Sequence, residues 1–327
     1  MSHVIEAKGL SRYYTQKNPK LFARGKLIVK ACDEVSFTLN PGEVLGIIGE
    51  SGCGKSTLGR VLVGLEPATA GELLVNGETA AAQLKADNKR FRRAAQIVFQ
   101  NPFDTFPPKH TIARIMLRAL KIHNIGADEN ERYSMCRTLF EQSGLRPAED
   151  YLSRYPHELS GGQLQRISIL RSMMLKPSFM VADEPVSMLD VSVRAEIINM
   201  LTELVRQNNT ALAFISHDIT VTRYISDRIV VMYLGRIVES GTSEEIVHNP
   251  KHPYTQILIS NCASIDFEEA EDPIEVQGEP PSPIDPGPGC YFADRCHLAE
   301  ARCHKTYPDY ATVSEGHIAA CHLLHGE

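Results

Sequence analysis

Gly49-Glu50-Ser51-Gly52-Cys53-Gly54-Lys55-Ser56 follows the apolar run Val44-Leu45-Gly46-Ile47-Ile48 and leads into KSTLGRVLVGL (55–65), a stretch with helical apolar spacing. The octapeptide fits G-x-x-x-x-G-K-[ST], the phosphate-binding loop. Its physical logic is specific. Glycines let successive backbone N–H groups turn inward as an anion nest. The helix starting near Lys55 adds the positive end of its dipole. Lys55 would reach the β- and γ-phosphates of a nucleotide, and the Ser56 hydroxyl would ligate Mg²⁺. Apolar strand, glycine loop and helix in that order predict an α/β protein built around a P-loop.

Working outward, the alternation continues to about residue 245. QIVFQ (96–100), FMVADE (179–184) and ALAFISH (211–217) read as further buried parallel strands, and VRAEIINMLTELVRQ (193–207) as a helix. Residues 103–160 break the pattern, being mostly helical with no convincing strand. A helical subdomain inserted over about 103–175 is therefore expected within a first domain spanning 1–245. Residues 246–327 form a C-terminal extension in which GEPPSPIDPGPGC (278–290) predicts linker or coil.

Composition narrows the class. The chain has 327 residues, 43% of them hydrophobic and 23% charged, which suits a soluble globular protein with an ample core. No apolar run approaches the ~18 residues of a membrane span. The N-terminal MSHVIEAKGLSRYY lacks the basic and apolar regions of an export signal. A net charge of -6 offers no basic field, so nucleic acid is not expected as the main partner. Cys32, Cys53, Cys136 and Cys262 are scattered, whereas Cys290, Cys296, Cys303 and Cys321 fall within the last 38 residues. Without an export signal, that second group reads better as a metal site than as disulfides.

Two more stretches carry chemistry. At the end of the strand 179–184, Asp183 can face a Mg²⁺ ion beside the P-loop, and Glu184 can polarise an attacking water. Leu159-Ser160-Gly161-Gly162-Gln163 precedes the helical QLQRISILRSMML and forms a second helix N-terminus rich in free N–H groups. A nucleotide already held by a P-loop has no need of it. The economical reading is that this turn serves a nucleotide on a partner chain.

The order of P-loop 49–56, Gln100, L-S-G-G-Q 159–163, Asp183-Glu184, Ser187-Met188-Leu189-Asp190 and His217 resembles the ATP-binding subunits of ABC transporters over nearly the whole chain. The resemblance implies a P-loop NTPase core, a parallel sheet with an antiparallel β subdomain. It implies ATP bound by Gly49, Glu50, Ser51, Gly52, Cys53, Gly54, Lys55, Ser56 and Thr57, with Mg²⁺ on Ser56, Gln100 and Asp183. Tyr14 matches the aromatic residue that stacks on adenine, adjacent Tyr13 being the rival. Gln100 contacts Mg²⁺ and the water, Glu184 is the catalytic base, and His217 contacts the γ-phosphate. Asp190 belongs to the loop that crosses the dimer interface, and Ser160, Gly161, Gly162 and Gln163 meet the partner's ATP.

GESGCGKSTLGR (49–60), RYPHELSGGQ (154–163), ADEPVSMLDVSVRA (182–195) and NPKHPYTQ (249–256) resemble, more narrowly, the dipeptide, oligopeptide and nickel importer branch. That branch implies a second, related ATPase subunit, two membrane-spanning permease subunits and an external solute-binding protein. It places the chain peripherally on the cytoplasmic face of the cell membrane, hydrolysing ATP to power uptake. Peptides are the favoured cargo, with nickel or a metal chelate as the alternative. A soluble ABC-type ATPase acting on nucleic acid is the other reading. A single ATPase set, no long heptad run and the negative charge speak against it. Two departures stand out: NPFDTFPPKH (101–110) after Gln100, and Met188 where alanine is commoner.

The gaps between the last four cysteines are 5, 6 and 17 residues, longer than the paired knuckles of zinc ribbons. Similar tails in peptide importers are associated with a 4Fe-4S cluster, which Cys290, Cys296, Cys303 and Cys321 would ligate. Zinc, or cysteines without metal, are the alternatives. Arg295 stands where it would offset thiolate charge, and His297, His304 and His322 are substitute ligands.

Overall fold

The computed structural model describes residues 3–17, 26–261, 278 and 281–325. Cys262 and residues 279–280 of the Pro-rich stretch lie outside the described residues. In chain order the strands and helices begin with β1 (Ile5–Lys17), β2 (Lys26–Leu39), β3 (Val44–Ile48), α1 (Lys55–Leu62), β4 (Ala70–Val75) and β5 (Glu78–Thr79). Next come α2 (Ala80–Ala86), α3 (Asn88–Ala94), β6 (Ala95–Val98), α4 (Ile112–Ile122), α5 (Glu129–Gln142), α6 (Ala148–Leu152) and α7 (Gly161–Met173). The rest are β7 (Phe179–Asp183), α8 (Val191–Gln207), β8 (Ala211–Ile215), α9 (Ile219–Ile225), β9 (Arg228–Tyr233), β10 (Arg236–Thr242), α10 (Ser243–His248), α11 (Pro253–Ser260), β11 (Ala311–Ser314) and β12 (His317–Ala319). All four predicted strands are present, as are the helices expected over 55–65, 193–207 and after Gly162, with ends shifted by a few residues.

The chain divides into two compact units that alternate along the sequence. One comprises Met1–Val4, Asn40–Glu43 and Val75–Ala213; the other comprises Ile5–Leu39, Val44–Leu74 and Phe214–Glu327. In the first, β6 and β7 pair in parallel from Ala95↔Phe179 to Val98↔Ala182. Every residue of Phe179–Asp183 is buried, as expected of a strand covered on both faces. Between β6 and β7 the described chain forms no strand. Its helices α4 to α7 enclose a core of their own around Ile112, Met116, Leu120, Phe140, Leu152, Leu164 and Ile167. Threonine and aspartate start α4 and α5: Thr111 Oγ1 accepts the Arg114 N–H and Asp128 Oδ1 the Glu131 N–H.

In the second unit, β3 pairs in parallel with β9, Leu45↔Arg228 to Ile48↔Val231, and the order continues β9-β10-β12-β11 with antiparallel partners. The β9–β10 hairpin turns on Leu234 and Gly235, both at positive φ (43° and 82°), the type I′ geometry that suits twisted strands. A separate antiparallel sheet has β2 at its edge and β1 between it and β4. The Pro-rich segment lies along that edge: Lys30 N–H donates to the Pro283 carbonyl (3.0 Å), Asp285 N–H donates to the Ile28 carbonyl (2.9 Å), and Val29 bridges Ile284. The predicted coil is thus tied down by backbone bonds. Glu239 of β10 and His317 of β12, both fully buried, meet at 2.7 Å and fasten the last hairpin.

Asp33 on β2 gathers four side chains of this unit. Tyr13 and Tyr291 (2.6 Å) donate hydroxyls to it, Arg236 donates Nε (2.8 Å), and Lys30 stands at 3.3 Å. Burial alone would raise its pKa, but these donors outweigh burial and hold its carboxyl down at about 2. A carboxylate depressed on folding contributes stability fully above its unfolded pKa near 3.9, and that contribution is lost as pH falls toward the folded value. Melting temperature should therefore drop between about pH 4 and pH 2, and Asp33→Asn should flatten that part of the curve while lowering stability at pH 7. An unchanged slope in the variant would contradict this.

Candidate nucleotide site

The phosphate loop occupies the second unit, between β3 and α1. Gly49 (φ 151°) and Gly54 (φ 105°) hold conformations that side chains resist, and a Cβ on Gly54 would stand 1.9 Å from the Ala31 carbonyl oxygen. Lys55 is buried, and its ammonium donates to the carbonyls of Gly49 (2.7 Å) and Glu50 (2.9 Å), centred over the loop. Cys53 is buried too, and burial pushes its thiol pKa up, so it acts as a small loop residue. Ser56 is half-buried and Thr57 buried, with Arg60 at 3.4 Å from the Thr57 hydroxyl.

Two aromatic residues and an arginine fasten this loop from the C-terminal side. Glu50 N–H donates to the Tyr254 hydroxyl at 2.8 Å. The Glu50 carboxylate is gripped side-on by Arg295, Nη1 to Oε2 at 2.8 Å and Nη2 to Oε1 at 3.0 Å. Nη1 also donates to the Tyr233 hydroxyl at 3.3 Å. Tyr233, Tyr254 and Phe292 stack edge to face with centroids 4.7 to 5.3 Å apart. Burial alone would lower the Arg295 pKa, yet the Glu50 hydrogen bond raises it overall, so the guanidinium stays charged. Arg295 therefore serves Glu50, where the sequence suggested thiolate charge. No local sequence signal links residues 245 positions apart.

In the same unit Tyr14 is half-buried. Arg12 lies over its ring at 4.5 Å, and its hydroxyl donates to Glu66. Tyr13, the rival, is committed to Asp33. His217 is exposed just after β8, ahead of α9.

In the first unit, Asp183 ends β7 and is buried, and Glu184 follows in the left-handed region at φ 47°. Such a conformation in a non-glycine residue stores strain of about 1–3 kcal/mol, which functional sites commonly retain. Gln100 Nε2 donates to Glu184 Oε2 (3.1 Å) and to Ser187 Oγ (3.2 Å), while the Ser187 hydroxyl donates to the Glu184 carbonyl (3.1 Å). The structure thus joins Gln100 to Glu184 and adds Ser187 as their brace. Ser160 caps α7: its Oγ accepts the Gln163 N–H (3.3 Å) and its own N–H donates to Gln163 Oε1 (3.0 Å), a capping box. A Cβ on Gly162 would stand 2.6 Å from Val193 Cγ1, so any larger residue there would have to displace that side chain. Asp190 is exposed at the start of α8 and makes no side-chain cap bond.

The cysteine extension belongs to the second unit. All seven described cysteines are unpaired by disulfides. Cys290, Cys296, Cys303 and Cys321 line one cavity together with His252, Phe292 and His322. Among the described residues, no three His, Cys, Asp or Glu side chains gather closely enough to hold a single metal ion. His304 instead faces Asp294 (3.4 Å), and His322 Nε2 meets the Thr306 carbonyl (2.9 Å).

Comparison with known proteins agrees with this architecture. A family model described as ABC transporter matches residues 32–187, and one described as the C-terminal region of oligopeptide/dipeptide transporters matches residues 238–303. The dipeptide transport ATP-binding protein of Haemophilus influenzae is 43% identical over 318 residues, 97% of this chain and 96% of its own. The di/tripeptide transport ATP-binding protein of Pseudomonas aeruginosa is 40% identical over 322 residues, 98% of both chains. Among solved structures, cbiO1 of Clostridium perfringens, part of an ABC transporter complex, shares the fold with a TM-score of 0.63 at 22% identity, over 76% of this chain and 92% of that one.

Fold and loop together define a P-loop ATPase with an antiparallel β subdomain, of the kind that powers ABC transporters. The chain belongs to the ATP-binding subunits of the peptide and oligopeptide importers within that class, and it hydrolyses ATP to energise peptide import. Among the described residues no helix is long and apolar enough to cross a membrane.

Proposed function

We propose that this chain pairs with a second, related ATPase subunit. Each nucleotide lies between one chain's phosphate loop and the other's Ser160-Gly161-Gly162-Gln163 turn. The pair drives two permease subunits fed by an external solute-binding protein, and it sits peripherally on the cytoplasmic face of the cell membrane. The cargo is di- or oligopeptide. The observation that carries this reading is the match of residues 238–303 to the oligopeptide/dipeptide transporter C-terminal region, within relatives matched end to end.

In the proposed chemistry, N–H groups from Gly49 to Gly54 and the Lys55 ammonium cradle the phosphates, and Tyr14 stacks on adenine. Glu184, held by Gln100, orients the attacking water and takes its proton, and His217 contacts the γ-phosphate. Ser56, Gln100 and Asp183 are hard oxygen donors suited to Mg²⁺, which would offset charge on the transferred phosphoryl group. Asp190 reaches the partner subunit. In domain terms, residues 1–245 form the ATPase with its helical insertion over 103–175, and 246–327 form the extension.

Cys290, Cys296, Cys303 and Cys321 would hold a 4Fe-4S cluster. Four soft thiol donors lining one cavity are the donor set that an iron–sulfur cluster takes. When bound it would supply a redox-active centre.

One preparation tests both parts. The tagged chain, isolated anaerobically from membranes, should bring down a second ATPase and two hydrophobic chains, with about four iron and four sulfide per chain. Cys296→Ala should lose the iron. Recovery of the chain only with itself would overturn the pairing, and one zinc without iron would overturn the cluster.

A further inference from the structure

A carboxylate one residue inside a loop built for a polyanion is an electrostatic anomaly. Glu50 follows Gly49 directly, and a triphosphate brought to that loop would meet its negative charge. The structure shows what cancels it. Arg295, from the cysteine extension and with a side chain only 7% exposed, matches both Glu50 oxygens at 2.8 and 3.0 Å. Its fork is fixed by Tyr233 and flanked by Phe292, whose ring centre lies 5.9 Å from the guanidinium. Tyr254 takes the Glu50 N–H, so both ends of this residue are turned toward the extension side. Cys296, a member of the four-cysteine set, is the next residue after Arg295.

We propose that Arg295 is a positioning residue of the ATP site: by pairing with Glu50 it removes a repulsive charge from the phosphate loop and anchors that loop to the cysteine extension. The inference rests on the reading of residues 49–56 as the nucleotide phosphate site. The loop then has its full affinity only while the extension is docked, and Glu50 is the anchor point that makes the dependence electrostatic.

The test is equilibrium binding of a fluorescent ATP analogue to the intact chain, with thermal melting as a check on folding. Arg295→Gln should raise Kd about tenfold, the size of one unit charge acting across several ångströms in a partly wet site. Added salt should shrink that difference. Arg295→Lys, which keeps the charge but not the fork, should bind nearly as wild type does. Arg295→Gln with Glu50→Gln should recover most of the lost affinity, binding at least about threefold more tightly than Arg295→Gln alone.

A purely structural strut predicts the opposite, with the double variant as weak as Arg295→Gln or weaker. That result, or a wild-type Kd for Arg295→Gln, overturns the proposal. If Arg295→Gln fails to fold, Arg295→Lys still decides: a Kd raised about tenfold although the charge is kept overturns it. Lys55→Ala separates the two levels, because unchanged binding there would refute the phosphate-site reading itself.

Discussion

Glu184→Gln should bind ATP as tightly as wild type and hydrolyse it roughly 10²–10⁴-fold more slowly, the range attributed to a positioned proton acceptor. The amide is isosteric and can still meet the Gln100 side chain, now 3.1 Å from Glu184 Oε2. The backbone at φ 47° and the Ser187 bond to the Glu184 carbonyl do not depend on the side-chain charge. What disappears is basicity. Single-turnover hydrolysis beside nucleotide binding distinguishes the cases. A parallel loss of binding would mean that the substitution had disturbed the loop, and undiminished turnover would remove Glu184 from the chemistry. Gln100→Ala, by contrast, frees Glu184 from one partner only and should cost less.

Lys55→Ala should act one step earlier. The ammonium is buried and at present shared between the Gly49 and Glu50 carbonyls, so it is already desolvated and aimed at the concave side of the loop. Its exchange of two carbonyls for phosphate oxygens is a charge-assisted bond worth about 1.5–3 kcal/mol, which raises the ATP Kd by roughly 10- to 100-fold. Hydrolysis and ATP-driven peptide uptake in reconstituted vesicles should then vanish at nucleotide concentrations near the wild-type Kd. Calorimetric titration of the folded variant measures it, and an unchanged Kd would refute the reading of residues 49–56 as the phosphate site.

The parts of this molecule that a reader of the sequence can see are those encoded locally. Val44–Ile48, Phe179–Asp183 and Ala211–Ile215 announce themselves as strands because burial on both faces demands continuous apolar runs. The loop 49–56 is legible because phosphate binding needs glycine and lysine at fixed spacing. Glu184 is suggested by its place at a strand end, whereas Gln100 and His217 are suggested only through the order of the motifs. Their contacts depend on strand ends that a linear reading cannot place.

Arg295 shows where such reading stops. Standing beside Cys296 it looked like a counter-charge for thiolates, and nothing short of the fold brings it to Glu50. The two-residue turn at Leu234-Gly235 and the Glu239–His317 pair were equally invisible, the first for want of a preferred turn residue at Leu234, the second because its partners are 78 residues apart. Ser160 carries a double meaning: a capping box accounts for serine and Gln163 locally, while Gly162 answers to Val193.

The strip of prolines beside β2 has one more consequence. An outermost strand such as Lys26–Leu39 exposes a row of hydrogen-bonding groups that invites a neighbouring molecule to add on and begin an aggregate. The stretch around Pro283 and Asp285 occupies that row, and because Pro281, Pro283, Pro286 and Pro288 carry no N–H, the stretch cannot in turn template a further strand. A segment that looks like a mere spacer thereby works as a self-terminating seam over the Ile28–Lys30 stretch of the ribbon's edge.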